Sequence, residues 1–350
     1  MSVFEHHEFD QHEQVLFCKD KASGLQAIIA VHNTNLGASL GGCRMWNYTD
    51  SGEALTDVLR LSKGMTYKAA MANLKQGGGK AVIIGNPHTD KTPEMMAAMG
   101  RFVNSAQGAY ITAEDSGISI DDLNKMHEFS EHIAGIHSRY SFHGGHADGN
   151  PAPATAYGVF VGLKQSVKYK LGTDLKGLRV AIQGLGHVGY RLAQHLKNEG
   201  AELIVTDIYE QQLQRAESEF GAKIVSPEEI IHQDVDVFAP CAMGAVLNER
   251  TIPQLKCKVV AGAANNQLAK ESHGQMVMDA GILYAPDYVI NAGGIIDIYH
   301  QNQEDSSAQA LKEHLEGIGG TLQEIYKRAD AESLPTNQVS NLIAEERFGK

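Results

Sequence analysis

Apolar positions recur along this chain with helical and strand periods, and the clearest run lies early. From residue 53 to 74 the spacing predicts a helix. Leu61, Met65, Lys68 and Ala72 form one row, and Leu55, Val58, Leu59 and Ser62 form a second beside it. Asp50 is the expected N-cap, with Glu53 three residues on as a capping-box partner. Two apolar rows predict burial on more than one side. Lys68 is therefore expected to be partly desolvated, which favours its neutral amine. Gly77-Gly78-Gly79 then leads into Lys80 and the apolar run 81–84, read as a strand. The glycines are expected to leave room for a ligand near Lys80. One lysine that holds an anion beside one poised as a base suits acid–base catalysis.

The remaining pattern divides in two. The first half predicts a strand at 25–31, a tight glycine-rich loop at 36–43, and a helix at 95–105 opened by Thr92-Pro93. A strand at 110–113 follows, with Glu114-Asp115 at its end, and then a helix to 129 capped by Asp121. Residues 143–153, rich in Gly, His, Asp and Pro, have no period and read as a linker. After a helix at 155–169, strands and helices alternate as in a doubly wound parallel sheet. Strands are expected at 179–183, 202–207, 223–225, 235–238, 258–261 and 281–284. Val188, Leu192 and Leu196 stripe one helix, and Ser226-Pro227-Glu228-Glu229 is read as opening another. A long helix at 306–332 ends before Pro335, and a short amphipathic tail covers 339–347.

Within the second half, the strand at 179–183 runs straight into Gly184-Leu185-Gly186-His187-Val188-Gly189. Those residues open a helix, and Asp207 ends the next strand eighteen residues on. In that context the glycine pattern predicts a dinucleotide site. Gly184 makes the turn, Gly186 lets the backbone reach the pyrophosphate, and Gly189 lets helix and strand approach. Asp207 would accept from the ribose hydroxyls and repel a 2′-phosphate, favouring NAD over NADP. The residues after it, Ile208-Tyr209-Glu210, supply no arginine.

Composition narrows the choice. A net charge of −12 argues against general affinity for nucleic acid or acidic membranes. Cys18, Cys43, Cys241 and Cys257 have no CxxC spacing and read as buried reduced thiols. Residues 1–14 carry no apolar signal region, and no apolar run approaches 18 residues, so a cytoplasmic protein is expected. His6-His7 and the His143, His146 and Asp148 cluster are the best metal candidates, but neither has helical ligand spacing and no metal is expected.

Several segments, in order, carry a family resemblance: 40–44 (Leu-Gly-Gly-Cys-Arg), 63–68 (Lys-Gly-Met-Thr-Tyr-Lys), 77–80 and 112–115 (Thr-Ala-Glu-Asp). It continues through 155–159, 184–189, 239–242, 262–267 and 291–294. Together they resemble the amino-acid dehydrogenases of the glutamate/leucine/phenylalanine/valine superfamily, most of all its leucine branch. The resemblance implies two α/β domains separated by a cleft. Residues 1–145 would bind substrate and oligomerise, 146–332 would form a Rossmann domain, and a tail at 333–350 would return to the first. It implies reversible, NAD-dependent oxidative deamination of an L-amino acid to a 2-oxo acid and ammonia. Lys68 would bind the substrate carboxylate, Lys80 would be the base that activates water, and Asp115 would exchange protons with the amino nitrogen. Gly41, Gly42 and Met65 would line the carboxylate region. Asn265 would lie near nicotinamide and substrate. Thr155, Cys241 and Ala242 would join the turn Gly184–Gly189 and Asp207 in holding NAD.

The resemblance places Leu40, Ala113, Ile295 and Ile298 around the side-chain pocket. Glutamate-specific relatives carry a lysine where Leu40 stands, so a second substrate carboxylate would be buried unpaired here. Leucine, valine and isoleucine are the expected substrates. Aromatic amino acids and glutamate are the alternatives, and a non-catalytic NAD-binding regulator is a remote one. No nucleic-acid or membrane partner is expected, and a homo-oligomer is. The chain departs from the family pattern at Ser116-Gly117-Ile118 and around Asp297 and His300.

Overall fold

The computed structural model describes residues 2–136, 142, 150–242 and 244–350. The His143, His146 and Asp148 cluster, most of the expected linker and the expected boundary at 145/146 lie outside them. The first half builds β1 (Gln14–Lys19), β2 (Gln26–Asn33), β3 (Ser39–Trp46), α1 (Ser51–Met71), β4 (Gly77–Ile84), α2 (Pro93–Ser105), β5 (Tyr110–Ala113) and α3 (Ile120–His127). Its strands form a sheet in the order β1-β2-β4-β3-β5, with β4, β3 and β5 parallel. Alternation along β4 sorts the two faces. Val82 packs with Val58 and Leu59 of α1, whereas Ala81 and Ile83 pack with the methionines of α2. Lys80, in step with Val82, therefore faces α1.

Asp50 caps α1 through the Gly52 and Glu53 N–H groups. Glu53 reaches past the cap to the Thr49 N–H, so the reciprocal half of the expected box is displaced by one residue. The row Val58, Leu59, Ser62 and Thr66 is buried, while Leu61, Met65 and Lys68 are only half-buried. The segment read as a loop at 36–43 is corrected: most of it is β3, inside the sheet, and only Gly37 has a positive φ. The cap of α3 is Ser119, in a capping box with Asp122, in place of Asp121.

The second half builds α4 (Ala152–Leu171), β6 (Arg179–Gln183), α5 (His187–Asn198), β7 (Glu202–Thr206), α6 (Glu210–Phe220), β8 (Lys223–Ile224), β9 (Val237–Pro240), β10 (Val259–Val260), α7 (His273–Asp279) and β11 (Leu283–Tyr284). It continues with α8 (Asp287–Ile290), α9 (Gly293–Asn302), α10 (Ala308–Glu332) and α11 (Thr336–Phe348). The sheet is parallel in the order β11-β10-β9-β6-β7-β8. The chain leaves β6 for β7 on one side and reaches β9 on the other, which makes a topological switch point beside β6. Ser226-Pro227 opens no α-helix; only a single 3₁₀ turn at Ile230–His232 follows, because Val225 and Ile230 turn into a local apolar cluster. Helices α7, α8 and α9 were not expected from the pattern. α7 and α8 are too short to show a period, and burial of most of α9 erases its amphipathic pattern. α11 lies against α1, with the Tyr67 hydroxyl donating to Glu345 at 2.6 Å and Arg347 donating to the Ala70 carbonyl at 3.2 Å. All four cysteines are free; Cys43 and Cys257 are buried, whereas Cys18 and Cys241 are only partly so. Among the described residues, no helix is long and apolar enough to cross a membrane.

Candidate active site

Lys80 is 5% exposed and its Nζ meets the Asp115 carboxylate. Asp115 reaches it from the turn after β5, where the Ser116 N–H donates to its other oxygen. Gly42 of β3 makes this approach possible. A Cβ there would stand 2.7 Å from the Asp115 Cβ and 2.6 Å from the Glu114 carbonyl oxygen. Gly41 meets β4 just as closely, its Cβ position falling 1.7 Å from the Gly79 carbonyl oxygen.

The triple glycine works differently from the expectation of open space for a ligand. The Cβ positions of Gly77, Gly78 and Gly79 are filled by Asn33, by the Thr66 backbone of α1, and by Ser39 with Tyr110. The glycines bring protein onto protein, seating α1 on the sheet next to Lys80.

Burial pushes the Lys80 amine down to about 7, and the nearby Arg44 guanidinium acts the same way. The Asp115 carboxylate in contact with the amine acts against that shift. Lys68 is lowered to about 8 by burial, with Asp287 of α8 pulling it back. Asp287 is itself raised by burial, although it accepts from the Gln267 N–H at 2.8 Å and the Tyr288 N–H at 2.7 Å. The charge on Lys68 also disfavours charge on Lys80. α1, which carries Lys68, packs on the sheet face towards which Lys80 points.

Leu40 and Ala113 are each 2% exposed, on adjacent parallel strands. They share one continuous apolar cluster with Ile295, and Ile298 and Met65 pack against it. Thr155 donates to the Pro151 carbonyl at 2.9 Å and borders Gly293 and Gly294 at the start of α9. Asn265 is exposed and accepts from the Asn291 amide at 2.7 Å.

The glycine turn sits at the carboxyl end of β6. Gly184 has φ +100° and packs on Ala242, as a tight turn requires. Gly189 lies against the Gly184 carbonyl, whereas nothing stands within 4 Å of a Cβ at Gly186. α5 has no side-chain cap, which leaves its first N–H groups available to an anion. A cavity of about 790 Å³ opens there, bounded by Gly184, Leu185, Gly186 and His187 on one side and Asp207, Cys241 and Ala242 on the other. Val188 and Gly189 continue the helix behind it. Asp207 accepts from the Leu185 and Tyr209 N–H groups. An uncovered glycine, a free helix N-terminus and a carboxylate at the next strand end fit a dinucleotide. Thr155 and Asn265 do not border this cavity.

Arg191 and Arg215 also border it; neither adjoins Asp207 in sequence, so no local spacing marks them. Arg191 donates to the His187 carbonyl at 2.7 Å. Arg215 pairs with Glu219 at 2.8 Å and lies over the Tyr190 ring. Of the metal candidates, His6 bonds Thr56 and stacks on His7. No cluster of three metal-ligating side chains occurs among the described residues.

Comparison with known proteins agrees with this layout. A family model described as the Glu/Leu/Phe/Val dehydrogenase dimerisation domain matches residues 12–132. A second, described as Glutamate/Leucine/Phenylalanine/Valine dehydrogenase, matches 144–208 and 205–346. The leucine dehydrogenase of Bacillus subtilis is 47% identical, covering 99% of this chain and 94% of its own. The phenylalanine dehydrogenase of Bacillus thermotolerans is 46% identical, covering 97% and 89%. The crystal structure of L-tryptophan dehydrogenase from Nostoc punctiforme aligns with a TM-score of 0.86 at 42% identity, covering 97% and 96%. On fold, site layout and similarity along its whole length, the chain belongs to the glutamate/leucine/phenylalanine/valine dehydrogenase family and is an enzyme of its amino-acid dehydrogenase type.

Proposed function

We propose that the protein oxidatively deaminates branched-chain L-amino acids with NAD, giving 2-oxo acids and ammonia, and runs in reverse with ammonia. The observation that carries this reading is a buried Lys80 amine, lowered towards neutrality, against Asp115 and on the same sheet face as Lys68. Lys68 holds the substrate carboxylate. Lys80, neutral, takes a proton from the water that attacks the imine carbon. Asp115 exchanges protons with the substrate nitrogen. Gly41, Gly42 and Met65 border the carboxylate end, with Asn265 beside the reacting carbon. NAD, when bound, would supply the acceptor for the hydride of the substrate Cα. The turn Gly184–Gly189, Asp207, Cys241 and Ala242 would hold it at the cavity, with Thr155, outside that cavity, near the rest of the cofactor.

We further propose that residues 1–145 form the substrate and oligomerisation unit of a cytoplasmic homo-oligomer. Residues 146–332 would form the nucleotide unit, with 333–350 returned to the first. The packing of α11 on α1 supports the last point.

For the substrate side chain, Leu40, Ala113, Ile295 and Ile298 offer only apolar surface. An NADH absorbance assay over leucine, valine, isoleucine, phenylalanine, tryptophan and glutamate tests this. The branched-chain substrates lead in kcat/KM, and glutamate shows no turnover, since its second carboxylate would be buried unpaired at several kcal/mol. The similarity to phenylalanine and tryptophan dehydrogenases supports an aromatic preference as the second reading. Phenylalanine or tryptophan leading the panel would establish it.

Asp207 carries the cofactor preference. Arg191 and Arg215 are engaged within the chain, which leaves the carboxylate to meet the ribose. Asp207→Ala raises the KM for NAD roughly tenfold or more, by loss of charge-assisted hydrogen bonds. It also narrows the gap between NAD and NADP, and steady-state kinetics with both cofactors reads the change. A variant whose NAD to NADP ratio is unchanged removes Asp207 from this role.

A further inference from the structure

Arg44 closes the family-like segment 40–44 on β3. In the register of β3 on β4 it stands beside Val82, two residues beyond Lys80. Its Nη1 donates to Asp57 of α1 at 3.0 Å, and its Nε faces Asp115 at 3.5 Å. That Nε is buried and has no hydrogen-bond partner. Asp57 is in turn fixed by the Tyr48 hydroxyl at 2.7 Å and by Arg60 at 3.1 Å. A continuous charged row, Asp57, Arg44, Asp115 and Lys80, thus runs from α1 to the buried amine.

Resting on the reading of Lys80 as the base, we infer that Arg44 is a positioning residue for the reaction: anchored by Asp57, its guanidinium steers the Asp115 carboxylate and sets the charge balance at Lys80. Asp115 is shared between two cations. Drawn towards Arg44, it holds the Lys80 proton less firmly. The groups facing Lys80 act with opposite signs: Arg44 and Lys68 disfavour its charged form, whereas Asp57 and Asp115 favour it, and the Cys43 thiol, pushed up to about 12 by burial, stays neutral. Arg44 and Asp57 should therefore move the base in opposite directions, which loosened packing would not do.

The test is the pH profile of kcat/KM for deamination, which reports the free enzyme. In the parent enzyme the acid limb lies near pH 7, because Lys80 must be neutral to act. Arg44→Gln removes a positive charge and moves that limb up by about half a pH unit or more. Asp57→Asn removes a negative charge and moves it down. NAD titration by protein fluorescence shows that each variant is folded. An Arg44→Gln limb that moves up, with an Asp57→Asn limb that moves down, carries the inference; any other pattern overturns it. If Arg44→Gln does not fold, Asp57→Asn decides alone: a downward limb supports the inference, and an unmoved or upward one overturns it. Lys80→Ala separates the two levels. If it keeps normal turnover, the reading of Lys80 fails; if it is inactive while the Arg44→Gln limb stays put, only the role of Arg44 fails.

Discussion

Lys80→Ala lowers turnover by about 10²- to 10⁴-fold, the usual contribution of a positioned general base, while NAD binding persists. The cofactor cavity is built from the far sheet and includes no atom of Lys80, so its affinity should not depend on the amine. Lys80→Arg provides the sharper contrast. A guanidinium keeps the positive charge against Asp115 but does not give up its proton at any working pH. If Lys80 only neutralised Asp115, the arginine variant would recover much of the rate. As a base, it recovers little. Single-turnover kinetics with leucine, alongside NAD titration, distinguishes these cases. A Lys80→Arg enzyme with near-parental turnover would falsify base catalysis by this residue.

Gly78→Ala costs about 2–3 kcal/mol of stability and weakens substrate binding. A Cβ at this position would stand 2.0 Å from the Thr66 nitrogen and 2.5 Å from its Cα. Backbone on both sides leaves no flexible side chain to give way, so α1 must lift from the sheet. Overpacking of this kind usually costs 1–3 kcal/mol. The helix carries Lys68 two residues beyond the clash, so the two amines separate and the amino-acid KM rises by about tenfold. The Thr66 hydroxyl, which bonds the buried His32 at 2.8 Å, shifts with it. Gly64→Ala is the control. It lies on the same helix with nothing within 4 Å of a Cβ, and alanine there is neutral or mildly stabilising. Thermal unfolding and the leucine KM read both variants. Equal midpoints and equal KM values for the two would show that the tight seating of α1 is not what sets the site.

The departures from expectation share one cause. Residues 36–43 read as a loop in sequence because glycines at 41 and 42 are poor strand formers. Their reason lies elsewhere in the chain: the Gly79 carbonyl and Asp115 occupy the space a side chain would need. The triple glycine reads as ligand space for the same reason, since its neighbours, Thr66, Asn33 and Tyr110, are distant or unmarked in sequence. Arg44 and Asp57 are 13 residues apart and carry no local pattern that pairs them. Ser119 rather than Asp121 capping α3 is a smaller error, because both residue types suit the position.

The sequence by itself determined the elements whose signals are local: the α1 stripe with Asp50 at its head, the alternation of the second sheet, and the strand–glycine–helix turn with its carboxylate at Asp207. Each needs only a period or a spacing along one segment. Tertiary structure alone decided which glycines touch protein, which cations share Asp115, and that the middle of the first sheet is a glycine-bearing strand. Those facts depend on how closely segments far apart in the chain approach, and a free backbone position or an unpaired charge reads the same in sequence whatever later comes to meet it.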